Sequence, residues 1–157
     1  MKLPLTLAGT AALVAVSSGV AYARPVTITA QLADYGGYPA FLAVYIVNKA
    51  GAYQETLWVA GQRTSYYRHL RDWYRGAMRS NQPLDGVTGA SVGSGNTLRV
   101  QANLSDVLIN AGYRIQVDSA VEGGPAQPAE VSVPLDSAGA GKPVSGRGII
   151  RRFTVSF

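Results

Sequence analysis

A chain of 157 residues with net charge +5 and no cysteine can form no disulfide and has no thiol chemistry. Eleven of its fourteen basic residues are arginines, whose forks match phosphate and carboxylate oxygens, so anionic ligands or partners are favoured. The length suits one domain with enough chain to bury a core.

Met1-Lys2, an apolar run from Leu3 to Val16, a small polar stretch and Ala21-Tyr22-Ala23 have the parts of a secretory signal peptide. Cleavage is expected after Ala23, which makes residues 1–23 the leader and 24–157 a single periplasmic domain with no direct membrane insertion after cleavage. The competing reading, a membrane anchor, is disfavoured because Thr, Gly and Ser interrupt the run from Leu3 to Val20. Nucleic acid is not an expected partner outside the cytoplasm.

Val26 to Leu32 alternates apolar and polar residues, as a half-buried strand requires. Turn formers fill Asp34 to Pro39, and Phe41 to Val47 is a continuous apolar run whose β-branched content predicts a central strand. Asn48 to Gly51 turns the chain into a further strand over Glu55 to Ala60, so these strands are expected to form a three-stranded meander. From Tyr66 the period changes: Tyr66, Leu70, Trp73, Tyr74 and Ala77 draw one face of a helix over about residues 65–78, with Ser65 at its N-cap. Arg68, Arg71, Arg75 and Arg79 lie on or beside the other face, either as a solvated basic surface or as one that meets anions. Residues 80–96 read as loop. Strands are then expected over Thr97 to Leu104, Tyr113 to Val121, Ala129 to Leu135 and Ile149 to Phe157, with a short helical turn after Ser105 and a surface loop over Asp136 to Gly148. About seven strands and one helix predict a mainly β fold, an antiparallel Ig-like or fibronectin-like sandwich with one helical insertion.

Catalytic constellations are scarce. His69 is the only histidine, no Gly-x-Ser-x-Gly elbow accompanies a serine, and no Cys-x-x-Cys-His is present, which argues against a triad hydrolase and against metal or haem ligation. Gly139 to Pro143 lacks the spacing and the final Ser or Thr of a phosphate loop. The carboxylates are scattered.

Asp85-Gly86-Val87-Thr88-Gly89-Ala90-Ser91 differs in kind, because it sets a hydroxyl on a segment of small residues behind a carboxylate. Gly86 supplies a bend, and Gly89 and Ala90 leave the segment slim enough to enter another protein's active site. The pattern Asp-x-x-Thr-Gly-Ala-Ser resembles the acceptor motif of periplasmic flavin transferases, which take FAD and leave FMN joined through its phosphate to the final Ser or Thr. With no base or metal cluster spaced to activate it from within the chain, Ser91 reads as a substrate for another enzyme. The bland alternative is an ordinary Asx-type turn.

The runs Tyr38 to Ile46, Thr56 to Trp58, Leu70-Arg71-Asp72-Trp73-Tyr74-Arg75 and Asp85 to Ser91 resemble the DUF2271 family of predicted periplasmic proteins. Members look like flavinylated carriers whose genes sit beside a flavin transferase and PepSY-type membrane proteins. The sequence departs from the pattern twice: Ser91 stands where Thr is more usual, and no Trp-Asp-Gly segment follows, Arg99 to Asn103 standing in its region. The resemblance implies an exported electron-transfer protein with covalent FMN at Ser91 and Asp85, Thr88, Gly89 and Ala90 as the acceptor motif. It would work between a PepSY-type membrane redox partner and a periplasmic acceptor, a ferric chelate being one candidate, as a carrier or reductase component. Trp73, Arg71 and Arg75 are candidate flavin or partner contacts, as are Trp58, Tyr66, Tyr67 and Tyr74. The second reading is a non-catalytic β-sandwich binding module that uses its arginine and aromatic surface.

Overall fold

The computed structural model describes residues 22–157, so the expected leader lies outside the described residues except for Tyr22 and Ala23. Strands β1 (Ala23–Leu32), β2 (Ala40–Val47) and β3 (Tyr53–Ala60) come first. A 3₁₀ turn (Thr64–His69) and helix α1 (Arg71–Ser80) lead to a two-residue strand, β4 (Thr88–Gly89). Strands β5 (Thr97–Ser105), β6 (Arg114–Val121), β7 (Ala126–Pro134) and β8 (Ile150–Ser156) complete the chain, with a short 3₁₀ turn (Asp106–Leu108) after β5.

Two sheets result, one ordered β5-β1-β8 and the other β4-β3-β2-β6-β7. Pairing is antiparallel except between β3 and β4. The expected meander is corrected here: β2 and β3 form a hairpin, but β1 pairs with β5 and β8 in the other sheet. The apolar face of β1 explains the crossing, because Val26, Ile28, Ala30 and Leu32 cover the inner face of the larger sheet rather than extend its edge.

Strand β2 is apolar throughout because both of its faces are buried. Leu42, Val44 and Ile46 enter the core shared by the two sheets, together with Ile115, Val117 and Phe153. Phe41, Ala43, Tyr45 and Val47 face the other way and pack with Tyr67, Leu70, Trp73 and Ala77 under the 3₁₀ turn and α1. The layers are therefore helix, five-stranded sheet and three-stranded sheet.

The helix expected over 65–78 is two pieces that meet at Leu70, whose φ of −87° and ψ of 72° break the helical path. Ser65 lies inside the first piece and makes no cap bond there. Tertiary contacts decide the break. The Tyr67 hydroxyl donates to the Gly61 carbonyl at 2.7 Å, Leu70 is fully buried, and the Trp73 N–H is taken by a carboxylate from β6, so a straight helix could not satisfy all three.

Candidate functional site

The 85–91 segment is a strap across the end of the five-stranded sheet, where a loop was expected. Helix α1 stops at Asn81, whose left-handed φ of 53° turns the chain back. Gln82 then stands in for a strand neighbour: its Oε1 accepts the Thr56 N–H at 3.0 Å and the Tyr53 hydroxyl at 2.7 Å. Leu84 accepts the Val87 N–H at 3.2 Å, closing a turn that leaves Asp85 and Gly86 exposed, with Gly86 at φ +78°. The carbonyls of Val87 and Gly89 next accept the N–H groups of Val59 and Gly61 at 2.8 and 2.7 Å. Val92 closes the strap by exchanging both backbone hydrogen bonds with Ala40 at 2.7 and 2.9 Å.

Ser91 is thus held between Gly89 on β3 and Val92 on β2. Ser91, one residue before the isolated antiparallel bridge of Val92 with Ala40, lines the same cleft as Phe41, which lies on the helix-side face of the sheet. The half-buried Ser91 and exposed Ala90 line an open cleft of about 500 Å³ with Tyr38, Pro39 and Phe41. Its polar side is Gln62, Arg63 and Glu122. Tyr38 is 67% exposed, yet its backbone is held: Tyr35 donates its hydroxyl to the Tyr38 carbonyl, and the Gly36 N–H donates to Ser94 Oγ at 2.9 Å. Arg63 donates to both oxygens of Glu122, at 3.1 and 2.9 Å, and this hydrogen bonding, then the Glu122 charge, raises the guanidinium pKa above its usual value.

On the opposite face of the strap Gly89 is covered. Trp58, packed on the inter-sheet core, covers Gly89 so tightly that a Cβ there would sit 2.5 Å from its Cζ2. Among the described residues no group of three or more His, Cys, Asp or Glu could hold a metal ion, and His69 is stacked on Tyr66 with ring centroids 4.2 Å apart. No imidazole or carboxylate among the described residues hydrogen-bonds Ser91.

A family model described as "Predicted periplasmic protein (DUF2271)" matches residues 23–152. The chain belongs to the DUF2271 family. No curated protein and no solved structure matches it. Among the described residues of this DUF2271 protein no helix is long and apolar enough to cross a membrane.

In this DUF2271 chain the residues singled out from sequence separate into three places. Ala90 and Ser91 line the cleft, Thr88 and Gly89 are the two residues of β4, and Asp85 is exposed at the turn before it. Trp73, expected to offer its ring to a ligand or partner, is corrected to a core residue: it is 0% exposed and its indole N–H donates to Thr56 Oγ1 at 2.9 Å. Its large apolar ring fills the space between α1 and the sheet. Tyr67 is buried beside it, whereas Tyr66 packs on Phe41 with ring centroids 4.7 Å apart. Arg71 and Arg75 are exposed on α1, and Arg75 faces a different cleft of about 470 Å³ with Asp72, Arg79 and Gln116. The structure does not bring either arginine to the Ser91 cleft.

Tyr38, Arg63 and Glu122 are the cleft residues that sequence reasoning missed. Tyr38 had a signal, an aromatic beside proline in a turn just before a buried strand. The Arg63–Glu122 pair had none, since its partners are 59 residues apart.

Proposed function

We propose that this DUF2271 protein is an exported Ig-like sandwich that carries FMN through a phosphoester at Ser91. The carrying observation is that an acceptor-like motif ends in a half-buried serine pinned at the lip of an open cleft with aromatic and cationic walls. Two sheets sharing one apolar core support the sandwich reading.

The attachment chemistry is phosphoryl transfer. In the active site of a periplasmic flavin transferase, Ser91 Oγ attacks the FMN-side phosphorus of FAD. The Oγ–P bond forms, the bridging P–O bond of the pyrophosphate breaks, AMP leaves, and the hydroxyl proton passes to a base of the transferase. The strap suits this work, since Gly86 and Ala90 give its exposed edge little bulk. Once bound, FMN supplies electron-transfer chemistry, and the covalent link keeps it from diffusing away outside the cell. The residues fit such a group: an open space adjoins Ser91, aromatic rings form one side and an arginine the other. Electrons would arrive from a PepSY-type membrane redox partner and leave to a periplasmic acceptor such as a ferric chelate.

Co-expression with a flavin transferase tests the reading. Wild type should become yellow and gain the mass of one FMN less water, Ser91→Thr should behave alike, and Ser91→Ala should stay colourless. A colourless, unmodified wild type refutes it.

A second reading, a non-catalytic binding module, is favoured by the cleft that Arg75 and Arg79 line one helical turn apart on α1. Glu substitutions at both positions should then abolish capture of an anionic partner while Ser91→Ala leaves it intact.

A further inference from the structure

We infer that the flavin ring lies in the Ser91 cleft against Tyr38, and that the Arg63–Glu122 pair sets its reduction potential. This rests on the reading of Ser91 as the attachment point and goes beyond it by naming the residues that tune the cofactor.

The strap decides which side the ring can take. On one side Trp58 is packed onto Gly89 with no room for an added carbon, and the separate cleft of about 320 Å³ that Trp58 borders with Arg99, Val100 and Gln101 is not lined by Ser91. On the other side Ser91 opens beside Phe41 and Tyr38. Since phosphate and ring are joined by a flexible ribityl chain, a group linked at Ser91 Oγ can fold back onto its neighbours without moving the backbone. Phe41 is held from below, because its ring lies over Gly61, where a Cβ would come within 2.1 Å of it. Tyr38 is exposed, but the bonds from Tyr35 and Ser94 fix the turn that carries it. A rigid, exposed aromatic ring is a stacking platform that loses little entropy on use.

The polar side of the same cleft is a held arginine. Glu122 engages one N–H on each terminal nitrogen of Arg63, which leaves the remaining donors of the fork free to meet a carbonyl or ring nitrogen. A flavin ring gains negative charge on its pyrimidine edge when reduced. A cation there favours the reduced form and raises the potential, and a neighbouring anion opposes it. Arg63 and Glu122 are therefore positioning and tuning residues with effects of opposite sign.

The test uses the flavinylated protein and four variants, reading attached mass, midpoint potential and flavin fluorescence. Arg63→Gln should lower the potential and Glu122→Gln should raise it, each changing the reduction equilibrium about fivefold, ~20 mV for a two-electron couple. Arg63→Lys should stay near wild type, because the charge is kept. Tyr38→Ala should brighten the flavin emission, since a stacked tyrosine quenches it. Loss of a merely structural ion pair would move Arg63→Gln and Glu122→Gln in the same direction. Loaded variants whose potentials move together or not at all, or a Tyr38→Ala emission equal to wild type, overturn this inference alone. A wild type that takes up no flavin overturns the Ser91 reading and this one with it.

Discussion

Asp118 on β6 caps helix α1 from 45 residues away: its Oδ2 accepts the Trp73 backbone N–H at 2.8 Å. Its other oxygen accepts the Tyr45 hydroxyl and the Ala129 N–H, each at 2.8 Å. One fully buried carboxylate thus joins α1, β2, β6 and β7, and it meets an orphan N–H of the helix that no side chain of α1 satisfies. Burial raises the Asp118 pKa above its usual value, although the bonds from Trp73, Ala129 and Tyr45 pull the other way.

That shift has a sign in stability. A carboxyl whose folded pKa is raised binds its proton more tightly in the native state, so its contribution is fully present below the unfolded value of about 4 and is lost as pH rises through the raised value. Asp118→Asn removes this titration, and its amide cannot accept at both positions. Urea unfolding across this window should show the wild-type advantage over Asp118→Asn shrinking as pH rises. A pH-independent gap would contradict it.

Trp73 is predicted to matter for folding rather than for binding a ligand at the surface. Trp73→Ala should cost about 3–5 kcal/mol, because the cavity opens under α1. Trp73→Phe should cost less, about 1–3 kcal/mol, by leaving Thr56 Oγ1 without its indole donor. Thermal and urea unfolding of both variants check the order.

Two glycines of the 85–91 segment should respond differently to alanine. At Gly86 a Cβ meets nothing within 4 Å, so only the φ of +78° is strained, at about 1 kcal/mol. At Gly89 the new methyl would lie 2.5 Å from Trp58 Cζ2, displacing the strap at about 1–3 kcal/mol. Gly89→Ala should therefore melt lower than Gly86→Ala, and it should also slow the modification of Ser91 in the co-expression assay.

Intact-mass measurement of the exported protein is expected to find Arg24 at the N-terminus. Cleavage there removes one residue of β1, Ala23 opposite Ser105, and keeps the Arg24 Nε–Asp106 contact at 3.0 Å. A mass that retains the apolar leader would contradict this.

The elements were legible where a local period carried them. The alternation of β1, the apolar run of β2 and the closing strand with Phe153 and Val155 all stand close to their expected bounds. Helix α1 was legible as a helix, but its start was not, because Leu70, Tyr67 and Trp73 are set by partners on Gly61 and Asp118 that lie far away in sequence. For the same reason the aromatic residues divided differently from expectation. Trp73 and Tyr38 differ little as residue types, yet one is sealed under the helix and the other stands in solvent.

Composition, the leader-like start and the 85–91 motif are local properties, and so the sequence by itself determined a cysteine-free, mainly β chain with a serine on small neighbours. Tertiary structure alone decided which face that serine uses. Backbone groups of Gly61 and Ala40 fix the strap, Trp58 covers Gly89 on one side, and Tyr38, Arg63 and Glu122 line the cleft on the other. Hydrogen-bond pairing and close packing act between residues adjacent in space, and the pattern along a single strand carries no record of which distant residue will be its neighbour.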